Sequence, residues 1–269
     1  MTAPSSFHVR HDLQPQFTYE LLALLYSLPA GQSEESLRQQ AEAQGFSLRL
    51  RKDYSKIISS LDDLVLVERS NKTLLLTLIG CTIAEIGIYQ RTLLPELIHF
   101  LYMTAYDTNP LLRWSWSYRE VCNWLWMSAP CPLKGDKLVN IVSQLASSAF
   151  EEESISFSTQ SVMGITNWLS ALRPPCLDAD KVFSRRITCP IELFVLALHH
   201  VYEQQRQGAL SILLTPNLRE DVCRICLITP EAFSELLEQT EAVFDCVEVR
   251  YERGERLAIA GFNWESLKE

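Results

Sequence analysis

The chain has 269 residues, 47% of them hydrophobic and only nine glycines. That composition excludes a disordered or fibrous chain and favours a helical globular protein of one to three domains. The net charge of −9 argues against indiscriminate nucleic-acid binding by the whole surface, and no apolar run approaches a membrane span.

Residues 1–16 contain Pro4 and Pro15 and show no periodicity, so they read as a flexible arm. The first six lack a basic segment followed by an apolar one, so no signal peptide is expected. The chain is accordingly expected in the cytoplasm, with its eight cysteines reduced and mostly buried. Leu21, Leu24, Leu25 and Leu28 predict a helix over 18–28, closed by Pro29.

Ser33 is a good N-cap, and Glu34 and Glu35 suit the start of a second helix that Gly45 ends. A third helix is expected from about Arg51 to Leu64, with Tyr54, Ile57, Ile58, Leu61 and Leu64 at helical spacing. Its outer face carries Arg51, Lys52, Ser55, Lys56 and Ser59, with Arg49 just before it. The pattern then becomes extended: Val65–Arg69 and Thr73–Leu78 read as two short strands around the polar turn Ser70-Asn71.

In Leu66-Val67-Glu68-Arg69 and Leu76-Thr77-x-x-Gly80, preceded by two helices, the chain resembles the winged helix-turn-helix superfamily. The resemblance covers roughly Phe17 to Ile88. It implies a recognition helix followed by a two-stranded wing, in a fold that serves DNA, RNA and protein partners alike. The basic residues Arg49, Arg51, Lys52 and Lys56, with Ser55 beside them and Arg69 and Lys72 on the wing, are then the candidate DNA-binding set. Asp53, Asp62 and Asp63 dilute this patch.

Helices are expected from Gly80 to about Thr92 and from Pro95 to about Tyr106, with a break at Asn109-Pro110. A tryptophan-rich helix follows over 117–128. Trp114, Trp116, Trp124 and Trp126 suit inter-domain packing or a protein-binding surface. Leu138, Ile141, Val142 and Leu145 mark another helix, Ile155–Phe157 a short strand, and Val162, Ile165, Leu169 and Leu172 a further helix. Residues 173–189 read as a loop. Pro190, Pro216 and Pro230 then open three helices, and a hairpin closes around Arg253-Gly254. Helix, helix, helix, hairpin thus recurs at the C-terminus.

The chain is therefore expected to be mainly α with short β-hairpin wings. Its expected parts are an arm (1–16), a winged helix-turn-helix (17–92), a helical middle (93–189) and a second winged-helix-like domain (190–269). The middle itself has the order of a degenerate third unit.

No phosphate loop, nucleophile elbow or metal-binding helix is written in the chain, and the five histidines fall in no catalytic pattern. Cys223-Arg224-Ile225-Cys226 lacks a companion ligand pair, so core packing is expected there, with no metal and no cofactor. The function expected is non-enzymatic DNA binding, as a regulator or a subunit of a larger complex. The alternative is a protein-interaction scaffold built from acidic winged-helix domains.

Overall fold

The structure is a computed structural model. It describes residues 7–11, 13–45, 48–70, 73–150, 155–251 and 254–268, with only the helical backbone at 48–55. The fold is mainly helical with small antiparallel sheets. None of its described helices is long and apolar enough to cross a membrane.

The first run of elements is α1 (Pro15–Ser27), β1 (Gln32–Ser33), α2 (Glu34–Ala43), α3 (Leu48–Asp63), β2 (Val67–Ser70) and β3 (Thr73–Leu76). Pro15 starts α1 earlier than the leucine pattern predicts, because a missing N–H costs nothing in the first turn. Ser33 caps α2 by accepting from the Ser36 amide, and Gly45, at φ +74°, turns the chain after it. The turn from α3 into β2 uses Val65 at φ +58°, a left-handed conformation unusual for a β-branched residue.

The sheet order is β1-β3-β2, with Gln32 opposite Leu74 and Val67 opposite Leu76. The two expected strands are present in shortened form. The third, β1, was not expected.

After the sheet come α4 (Leu78–Tyr89) and α5 (Leu94–Thr108). Thr77 begins α4 twice over: its hydroxyl accepts from the Gly80 amide and donates to the Val65 carbonyl. Gly80 lies so close to the β2 approach that a Cβ there would meet the Leu66 carbonyl oxygen at 1.9 Å.

The middle runs α6 (Arg113–Ser128), β4 (Cys131–Pro132), α7 (Gly135–Phe150), α8 (Thr159–Ala171) and β5 (Val182–Phe183). Two corrections fall here. Residues 173–189 are not all loop: Phe183 pairs with Cys131 on one side and with Leu177 on the other. Residues 155–157 form no strand. Phe157 is buried there without a ladder partner.

The last run is α9 (Ile191–Arg206), β6 (Ile212–Leu213), α10 (Pro216–Cys226), α11 (Ala232–Val243), β7 (Val247–Tyr251) and β8 (Glu255–Ile259), then a 3-10 turn, Trp264–Lys268. Its sheet order, β6-β8-β7, repeats the first. Thr215 caps α10 as Ser33 caps α2; Ser33 ends β1, and Thr215 follows shortly after β6.

The chain divides into two compact units, residues 1–121 with 134–171, and 122–133 with 172–269. In the first, Leu21, Leu37, Ile57, Ile58, Leu61 and Leu66 form a core under the β1-β3-β2 sheet, and Trp168 and Tyr118 are fully buried. In the second, Leu193, Phe194, Val222, Phe233 and Leu257 play the corresponding part.

Candidate nucleic-acid interface

Part of α3 is described in side-chain detail, from Lys56 onward; the Tyr54 side chain of the expected stripe lies outside it. Ile57, Ile58, Leu61 and Leu64 are buried, and Lys56 is exposed. The side chains of Arg49, Arg51, Lys52 and Ser55 lie outside the described residues, as does the whole of Lys72.

Arg69 stands exposed on β2 beside two carboxylates. Its guanidinium is 3.3 Å from Glu34 Oε1 and 3.8 Å from Asp62 Oδ2. Ion pairs as exposed as these contribute at most about 1 kcal/mol, so a phosphate could compete for the arginine. The ground beside it is acidic: Ser33, Glu34, Glu35, Arg69, Thr73 and Leu74 line an open depression of about 480 Å³.

Sequence reasoning missed Arg10. From the stretch before α1, its guanidinium donates to the Lys56 carbonyl and to Ser59 Oγ on α3. Asp63, a turn further along, has its carboxyl pushed above the usual range. Burial is the main cause; the nearby Arg10 charge opposes it and Asp62 adds to it. No local pattern signals Arg10, because its partners lie 46 and 49 residues away.

Of the two expectations for the tryptophans, packing or an open binding surface, burial favours packing. Trp116 is 7% and Trp126 4% exposed, and Trp114 and Trp124 are half-buried. Trp116 meets Phe7 and Phe150 edge-on. Trp126 donates from Nε1 to the Ile228 carbonyl at 2.8 Å, with Arg185 stacked 4.2 Å and Arg224 5.5 Å from the ring centre. Large aromatic rings bury more apolar area when turned inward, which favours this placement.

Cys223 and Cys226 lie in α10, both fully buried. Burial pushes the Cys223 thiol up to about 12 and raises that of Cys226 as well, with Cys189 close by both. Neutral thiols of this kind pack as small apolar groups. Among the described residues, no group of three or more His, Cys, Asp and Glu is placed to hold a metal ion.

Comparison with known proteins gave no match: no family model, no curated protein and no solved structure aligned significantly with the chain.

Proposed function

We propose that this is a non-catalytic DNA-binding protein, a regulator or the DNA-engaging subunit of a larger assembly. In this reading the α1–β3 run is a winged helix-turn-helix, the α9–β8 run is a second one, and α3 enters the major groove. The observation that carries it is the junction of α3 with the β2-β3 ribbon in a sheet of order β1-β3-β2. That arrangement supports the reading of a recognition helix followed by a wing. The exposed Lys56 over a buried Ile57, Ile58 and Leu61 supports it further, since a cation on the outer face can meet phosphates without disturbing the core.

The test is a gel shift of the full chain against mixed-sequence duplex at several salt concentrations. Binding that weakens steeply with salt supports the proposal. Duplex that stays unbound at low salt removes it.

A second reading rests on α11. This helix holds the place in the last run that α3 holds in the first, yet Glu235 and Glu238 are exposed on it and it has no lysine or arginine. The face suits a basic protein segment and not a phosphate backbone. An α11 that engages protein is compatible with an α3 that engages DNA.

A further inference from the structure

The segment ahead of α1, expected to be a loose arm, is heavily engaged where it is described. Phe7, Val9 and Leu13 are buried. The Phe7 amide donates to Ser156 Oγ at 3.1 Å, and its ring meets those of Trp116 and Phe150. His8 Nδ1 is 2.7 Å from Ser161 Oγ. The Val9 and Arg10 carbonyls press onto α8 at Gly164, where a Cβ would meet them at 3.0 and 2.9 Å.

Alternation along an extended chain puts Arg10 on the other side from Val9. There it reaches α3 at two points, the Lys56 carbonyl through Nη1 and Ser59 Oγ through Nη2. The Lys56 carbonyl also accepts from the Ser60 hydroxyl at 3.0 Å. Arg10, Ser60, Asp63, Tyr102 and Trp114 line a small space of about 10 Å³ beside it. The contact falls at the turn of α3 that carries the exposed Lys56, not at a helix end where fraying would blunt it.

We infer that residues 7–11 are a strap between α8 and α3, and that Arg10 is the positioning residue through which the strap sets α3 for duplex. The role assigned to α3 rests on the DNA-binding reading; the strap itself does not. Arg10 acts through the helix backbone and not by touching phosphate. Releasing the strap lowers affinity by loosening the helix, and the number of phosphates neutralised stays the same.

Hydrogen–deuterium exchange over residues 57–64 tests the strap, and salt-dependent duplex binding tests its consequence. Arg10→Ala should speed exchange there by about tenfold, the scale of one lost charge-assisted hydrogen bond, and leave α9–α11 unchanged. Arg10→Lys keeps the charge but has no fork, so it should restore protection only in part. Gly164→Ala displaces the strap from its other side and should loosen the same amides, which guards against misfolding peculiar to Arg10 variants.

In binding, both Arg10 variants should weaken affinity with an unchanged salt slope. Exchange at 57–64 that is the same in all four proteins overturns the strap. An Arg10→Lys protein that binds like wild type, beside an Arg10→Ala protein whose slope falls by about 0.9, makes Arg10 a phosphate contact and overturns the positioning role. If wild type ignores duplex at low salt, the DNA reading fails, and the exchange data alone still decide whether the strap holds α3.

Discussion

The first and last runs of the chain share a topology and differ in charge. Both place a helix, a two-residue strand, two helices and a ribbon in that order, with matching sheet orders β1-β3-β2 and β6-β8-β7. Both cap the second helix with a hydroxyl, from Ser33 and Thr215. Yet α3 carries Arg49, Arg51, Lys52 and Lys56, whereas α11 carries Glu235, Glu238 and Glu241. Caps, apolar stripe and ribbon decide the fold, and the outer face of one helix decides what it can touch. The same frame thus carries helices of different charge within one chain.

The shared frame can be broken at one atom. Gly80→Ala would drive a Cβ into the Leu66 carbonyl, a backbone clash that no rotamer relieves. A loss of about 3 kcal/mol or more is expected on the scale of severe core changes. Denaturant unfolding should show it in the transition of the first unit. A wild-type midpoint would mean that the close approach of α4 to β2 is not a structural requirement.

The likeness of the two runs is sharpened by their caps. Ser33→Ala and Thr215→Ala each remove an acceptor from a helix N-terminus and should each cost about 1 kcal/mol. Chemical denaturation checks whether the two losses agree. A negligible effect at one site only would show that the runs are built differently there.

A smaller effect separates α3 from α11. Near its end α3 carries the half-buried Asp63, and α11 has no aspartate at all. The folded protein holds the Asp63 proton to higher pH than the unfolded chain does. Stability from this group is therefore full below the ordinary carboxylate pKa of 3.8 and is lost as pH rises through the raised folded value. Asp63→Asn should remove that loss, so the variant should gain more on wild type at pH 7 than at pH 4. Parallel stability–pH curves would contradict it.

Much of this was legible in the chain. The change of period after Leu64 marked the start of the ribbon, and prolines marked the starts of α9 and α10. What escaped was short or long-range. β1 is Gln32–Ser33, two polar residues that are strand only because β3 lies beside them. β5 hides in an irregular stretch for the same reason. In α7, Leu138 and Val142 are buried as the spacing predicts, but Leu145 is exposed and Ala146 takes the inner position.

The candidate site was legible only in its charges. That Arg69 stands between Glu34 and Asp62 follows from pairing and packing, not from the local pattern. Arg10 belongs to a stretch without periodicity, and its partners on α3 lie far along the chain.

We propose that α3 and α11 differ in what they bind because they differ in charge. It is tested most directly by fluorescence anisotropy with labelled mixed-sequence duplex, titrated from low to moderate salt. Wild type is compared with Lys52→Ala/Lys56→Ala and with Glu235→Gln/Glu238→Gln. Neither lysine belongs to the apolar stripe of Ile57 and Leu61, so stability should stay within about 0.5 kcal/mol. The lysine pair should weaken binding and flatten the slope of log affinity against log salt by roughly two, about 0.9 for each lost phosphate contact. The glutamine pair should leave that slope unchanged. Equal affinity and an unchanged slope in the lysine variant, or no duplex binding by wild type at low salt, would contradict the account.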